Sequence, residues 1–464
     1  MIGGLGQFLV LPFFTSKISV EDYGLLATSQ ILSGVIFGVA NLGLPISYER
    51  NFFEAKLNGK SHELIYSILT YVWISFFIFG IILYLSIDFF SMNLFNDHGN
   101  GLLLFSTYLA TGFSGIKNYY LIYFKNGMNS ASFLKYSIDD TVLSLLLSVF
   151  FVMYLETGVI GLVYGQLTSG AFILTVLTFN FFKLENFKFE LRILLDCIRI
   201  SFPLTPRIFV GILNKSTDKI ILGILNSING VGLLSIANRF SNFSFSFLTA
   251  LENIYLPLTY KLMHESEDET KGGYMIGKLL TPYIFLSVLF CMVISFFSYE
   301  VIWLLTPKSF QFAANLVVIL GMYTSTLFFG KIPQLIFKKK SHIITIISSF
   351  TIFSSFLITY YLALKFQTIG ATIGTFISGA INGILYFYYS QKAYKIYWES
   401  FKIYIFYIIF FAVGVVLIIL DLFSVVYYYS LSIKLLSFLV FIYLGFKLKI
   451  ISINSVKKIF YEKV

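Results

Sequence analysis

Ionisable and amide side chains set inside apolar stretches are where this chain could do chemistry. In the stretch 204–225, Arg207, Asn214, Lys215, Asp218 and Lys219 fall on one side of a helix projected at 100° per residue. The next stretch carries Asn238, Arg239 and Asn242 on one face, with Glu252 further along. Lys117 lies in the stretch 101–124, and Asp139 and Asp140 in 133–154. Charges in hydrocarbon are costly unless they face a wet cavity or a partner, so each is a functional candidate. Lys215 and Asp218 at i and i+3 can neutralise each other, and Lys117 can pair with Asp139. One aspartate cannot balance Arg207, Lys215 and Lys219 together, with Arg239 on the following helix. A surplus of cations inside a bundle implies an anionic visitor, or water. Asp139 and Asp140 could bind Na⁺ or carry a proton that drives exchange, or could only offset Lys117 and Lys135. Lys331 and Lys434, nearer helix ends, read as cations that snorkel to the headgroups.

The elements that position these residues are membrane helices. Hydrophobic residues make up 57% of the 464 and charged residues only 12%, about half the charged fraction of a soluble domain. Apolar runs near 20 residues predict about fourteen helices, at 1–15, 23–48, 64–87, 101–124, 133–154, 158–181, 204–225, 230–260, 274–298, 310–336, 342–364, 369–391, 402–421 and 424–446. The first is short for a span, which suggests that upstream residues are missing, and it has no signal-peptide pattern.

Basic residues alternate from turn to turn, as the positive-inside rule demands. Even-numbered turns and the tail hold groups such as Arg50, Lys56 and Lys60, or Lys338, Lys339 and Lys340, whereas the odd-numbered turns hold Lys17, Lys308 and Lys365. Both termini are therefore expected in the cytoplasm. The same distribution places the net charge of +10 beside anionic headgroups and removes the need for nucleic acid.

A phrase occurs twice. Gly161, Gly165, Ser169, Gly170 and Ala171 recur 209 residues later as Gly370, Gly374, Ser378, Gly379 and Ala380. Gly24-Leu25-Leu26 recurs at an offset of 208 as Gly232-Leu233-Leu234. Six helices separate the copies, an even number, so the repeat is parallel. The expected architecture is all-α: an N-lobe at 1–182, an amphipathic linker at 183–203, a C-lobe at 204–393, and two extra helices with a tail at 394–464. Small residues at i, i+4 and i+8 read as helix packing rather than substrate contacts.

Cys197 and Cys291 suggest neither a disulfide nor a metal site, and the four histidines have no ligand spacing. No nucleotide-binding loop, nucleophile elbow or dinucleotide fingerprint is present. Catalysis is not indicated, no cofactor is expected beyond a coupling H⁺ or Na⁺, and transport must draw on an ion or substrate gradient.

The segment LPFFTSKISVEDYGLLATSQ, with Pro12, Glu21, Asp22, Tyr23 and Gly24, then NLGLPISYERNFFE, with Gly43 and Arg50, resembles the start of the polysaccharide repeat-unit flippases of the multidrug/oligosaccharidyl-lipid/polysaccharide exporter superfamily. Asp218-Lys219-Ile-Ile-Leu-Gly223 with NGVGLLSIANRF resembles that family's seventh and eighth helices. The resemblance implies a V-shaped cavity between two six-helix lobes in a bacterial cytoplasmic membrane. It also implies an undecaprenyl-diphosphate-linked oligosaccharide as substrate, destined for O-antigen or capsule. The partners expected beyond it are a polymerase and a chain-length regulator. Lys117, Arg207, Lys215, Lys219 and Arg239, with Asn238 and Asn242, would then hold the diphosphate and glycan. Asp139, Asp140 and Asp218 are the ion-coupling candidates. The short first helix departs from the family pattern. The rival readings are a cation-coupled small-molecule antiporter of the same superfamily, with twelve helices, and a repeat-unit polymerase, which would need a long outer loop that is absent here.

Overall fold

The computed structural model describes residues 6, 8–95, 97–184, 187–266, 268–330, 333–423 and 427–450. Their regular structure is helical, with no strand among the described residues. In chain order the helices are α1 (Leu11–Thr15), α2 (Val20–Asn41), α3 (Leu44–Leu57), α4 (Ser61–Leu85), α5 (Ile87–Phe95), α6 (Gly101–Asn126), α7 (Ser130–Val149), α8 (Val159–Leu184), α9 (Leu191–Ser201), α10 (Thr205–Ile224), α11 (Ile228–Glu265), α12 (Glu269–Phe296), α13 (Ser298–Leu305), α14 (Ala313–Thr326), α15 (Pro333–Phe337), α16 (Ser341–Ala393), α17 (Ser400–Leu422) and α18 (Tyr427–Lys447).

Nine helices among the described residues are long and apolar enough to cross a membrane. Their outward faces carry large apolar side chains, such as Ile74, Phe77, Ile78, Ile81 and Leu85 along α4. Such a surface is stable only in lipid. The protein is thus an all-α, multi-pass membrane protein.

One expected helix is broken. The single helix expected at 23–48 is broken at Leu42 (φ 44°) and Gly43 (φ 66°), both left-handed, and restarts with Pro45 in its first turn. The two helices expected at 342–364 and 369–391 are the two arms of α16, joined across non-helical Gln367 (φ 48°, ψ −127°). Its arms fold back on each other, since Tyr386 Oη donates to Ile344 O at 3.2 Å and Thr351 donates to Asn382 Oδ1 at 2.9 Å.

By internal contacts the chain divides into two units, Met1–Ser235 with Leu305–Pro307, and Ile236–Leu304 with Lys308–Val464. The first is built around α2, α4, α6, α7 and α8, with Tyr48, Phe52, Phe76, Tyr108, Tyr119 and Phe181 buried at its centre. The linker helix α9 lays Leu194, Cys197 and Ser201 onto this unit and exposes its polar face, the expected amphipathic pattern. Burial pushes the Cys197 thiol above its usual range. The second unit centres on α12, against which α14, α17 and α18 pack. Phe285, Phe406 and Phe441 meet with ring centroids 4.6 to 5.0 Å apart.

The repeated phrase makes the same contact in both units. An ideal Cβ at Gly165 would lie 2.5 Å from Ser148 Cα, and one at Gly374 would lie 2.5 Å from Thr359 Cα. Each glycine lets its helix meet the backbone of the preceding one. The turn before it has positive φ at Gly158 (62°) and, 209 residues on, at Gln367.

The second repeated phrase meets its own copy inside the first unit. An ideal Cβ at Gly24 would fall 2.1 Å from Ile228 O, and one at Gly232 would fall 1.9 Å from Val20 O. Val20 and Ile228 are themselves 208 residues apart, so the contact of α2 with the start of α11 is reciprocal.

Among the described residues, ion pairs between turns join turns of one parity. Lys17 of the first meets Glu156 of the fifth at 2.8 Å. Among even turns Lys125 meets Glu49 at 2.6 Å, Lys60 meets Glu190 at 3.5 Å and Lys338 meets Glu269 at 2.5 Å. Alternate turns therefore share an end of their unit.

Candidate functional site

Lys117 on α6 is 6% exposed, and its ammonium is paired with Asp140 of α7. Ser169 of α8 donates to Asp140 Oδ1 at 3.1 Å and to Asp140 O at 3.0 Å. Three helices thus converge on one carboxylate. The partner expected for Lys117 was Asp139, and the structure replaces it with Asp140. Successive helical residues point about 100° apart, so only one of the two aspartates can face α6 and α8, and Asp139 is exposed. A cation arriving at Asp140 must displace the Lys117 ammonium, whereas among the described residues Asp139 has no such competitor.

The motif serine was read only as a packing residue. Ser169 packs and also fixes the acid, whereas Ser378, its repeat counterpart, bonds Ser355 Oγ at 3.1 Å. The charged set thus belongs to the first copy of the hairpin.

Asp218 on α10 is 5% exposed, with Oδ1 accepting the Lys219 backbone N–H at 2.8 Å. Lys219 is half-buried. The side chains of Arg207, Asn214 and Lys215 lie outside the described residues, as does Lys331. On α11, Asn238 and Arg239 are half-buried and Asn242 is exposed. Of the expected site residues, the described contacts bring Lys117 and Asp140 together.

One polar cluster was missed. Lys434, expected to snorkel, is 3% exposed and donates to Glu300 Oε1 at 2.7 Å, and the Tyr427 hydroxyl donates to the same oxygen at 3.1 Å. Beside them Asn315 donates to Asp421 Oδ2 at 2.6 Å. A cavity of about 70 Å³ lies among Ser295, Asn315, Asp421, Tyr427 and Lys434. The partners stand 134 and 106 residues apart in sequence, and only the packing of α18 against α13 and of α17 against α14 unites them. The signal available was an acidic residue at each end of the corresponding apolar stretches.

A family profile described as polysaccharide biosynthesis protein matches residues 1–263. No curated protein matches the chain in sequence. Among solved structures, the lipid II flippase MurJ in an inward closed conformation is similar at 14% identity, with TM-score 0.69, over 97% of this chain and 98% of that one. An inward-facing multidrug resistance MATE family transporter of the MOP superfamily is similar at 16% identity and TM-score 0.59, over 83% of this chain and 94% of its own. A MATE transporter of Vibrio cholerae is similar at 15% identity and TM-score 0.55, over 84% and 93%. The architecture is that of these transporters, and the sequence match covers more than half of the residues. The chain belongs to the polysaccharide biosynthesis protein family.

Proposed function

We propose that this protein is a flippase that carries undecaprenyl-diphosphate-linked oligosaccharide repeat units from the cytoplasmic to the outer leaflet, for O-antigen or capsule assembly. The observation that carries the reading is the family match over residues 1–263. The likeness to a lipid II flippase over 97% of the chain supports it. A diphosphate needs cations in a partly dehydrated setting. Arg207, Lys215 and Lys219 of α10 and Arg239 of α11 are the groups assigned to it, with Asn238 and Asn242 toward the glycan. Lys117 joins them only when Asp140 releases it. Transport runs by alternating access driven by H⁺, Na⁺ or the substrate gradient, in a bacterial cytoplasmic membrane with both termini inside. A polymerase and a chain-length regulator are the partners expected beyond it.

Small-molecule antiport is the second reading, favoured by the MATE likeness, which leaves about a sixth of the chain unmatched. An impermeant probe of the sugar distinguishes the two. Cells lacking the protein should accumulate lipid-linked oligosaccharide on the cytoplasmic leaflet, restored by wild type and not by Arg239→Ala. An unchanged leaflet distribution would overturn the flippase reading.

A further inference from the structure

A cleft of about 880 Å³ opens in the second unit, at the end where the even-numbered basic turns lie. Its walls are Tyr274 and Lys278 of α12, Gln391 of α16, and Lys395, Tyr397 and Trp398 of the segment leading to α17. That segment is held by main chain. An ideal Cβ at Gly273 would sit 2.2 Å from Lys395 O and one at Gly277 would sit 2.1 Å from Tyr397 O, while Tyr397 N–H donates to Gly273 O at 3.2 Å. Tyr274 and Tyr397 stack with centroids 4.0 Å apart and planes within 6°. A wall fixed in this way pays little ordering entropy when a ligand arrives.

Two donors behind the cleft wall are unspent. Gln391 spends its Oε1 on the Ile396 N–H at 2.8 Å, and its Nε2 is buried without a partner. Trp398 Nε1 is likewise buried without a partner. Buried donors are normally bonded, and these two, unpartnered among the described residues, meet an acceptor in the cleft once the Gln391 and Trp398 side chains turn toward it. Lys395 lies 5.0 Å from the Tyr397 ring centroid, and the exposed Lys278 adds a second ammonium. The lining carboxylate, Glu399, is taken by Lys402 at 2.5 Å. Amide, indole and ammonium donors with no competing acid select an oxyanion.

We propose that this cleft binds the phosphate of an anionic phospholipid headgroup. The bilayer is the source, because the rim continues into exposed apolar side chains, Met275 on α12 and Phe401, Tyr404 and Ile408 on α17, along which acyl chains can lie. A free phosphate ester would gain nothing from that surface.

Native mass spectrometry of the full chain, released from micelles doped with phosphatidylglycerol or phosphatidylcholine, tests this. Wild type should retain one phosphatidylglycerol in preference to phosphatidylcholine. Lys278→Gln with Lys395→Gln should weaken that retention about thirty-fold, the loss expected for two lysines at an anionic lipid surface. Trp398→Phe, which keeps the ring and removes the N–H, should weaken it less. Lys339→Gln with Lys340→Gln, on another even turn, should leave it unchanged. The proposal falls if that control loses as much, if the two lipids are retained equally, or if glycerol phosphate at the same concentration displaces the lipid.

Discussion

Asp140 is the residue whose removal should cost most. Asp140→Asn leaves a buried ammonium without its counter-ion, and breaking such a pair typically costs about 3–5 kcal/mol. Replacing both partners, Lys117→Met with Asp140→Leu, should recover most of that, as read by thermal unfolding in detergent. Asp139→Asn should leave stability unchanged and is therefore the clean probe of coupling. If Asp139 carries the driving ion, transport in that variant stops responding to a collapsed gradient; a retained response removes it as the coupling residue. The exposed Lys17–Glu156 pair sets a pH dependence. The hydrogen bond and charge of Lys17 hold the Glu156 carboxyl below its usual range. Its contribution is complete above the ordinary glutamate pKa of about 4.3 and is lost as pH falls through the lowered folded value. Glu156→Gln should flatten that part of the acid unfolding curve and change little at neutral pH. Composition and spacing could mark Lys117, Asp139 and Asp140 as candidates but not pair them, because one residue of rotation decides which acid faces inward. Glu300 with Lys434, and Asn315 with Asp421, were hidden for a different reason: nothing local in the sequence ties residues more than a hundred positions apart.

At the scale of elements, the repeat was legible because close helix contacts demand glycine wherever a backbone arrives, and glycines are visible in sequence. Gly165 and Gly374 meet their partner helices at the same distance. The turn between arms was placed by the apolar runs in both copies, although Gln367 stands in the second copy where Gly158 stands in the first. The crossing of α2 with the start of α11 offers the sharpest test. Gly24→Ala and Gly232→Ala each push a methyl into a carbonyl and should destabilise by about 1–3 kcal/mol, the usual cost of overpacking. The reciprocity of the contact predicts similar losses for the two. Gly34, on the same helix α2, has nothing within 4 Å of its Cβ position. Gly34→Ala should therefore be neutral or slightly stabilising, since alanine is the better helix former. Losses at Gly24 and Gly34 of equal size would show that the crossing is not what the glycines serve.

For the whole molecule, hydrophobicity and basic alternation were enough to give an all-helical, multi-pass protein, because a bilayer admits few other solutions. Arg239→Ala should abolish export while the protein stays in the membrane, as read by surface polysaccharide and by the amount of protein in the membrane fraction. Full export in that variant would remove the cationic mechanism. The helices α17 and α18 do not sit apart as an appendage: Phe406, Phe410 and Phe441 complete the aromatic centre of the second unit. The contact between Gly24 and Gly232 has one more implication. Because each partner supplies the surface that the other one needs, two separate half-length chains bearing that segment could make the same crossing with each other. The protein thus holds, within a single polypeptide, the kind of self-complementary seam by which identical subunits form twofold dimers.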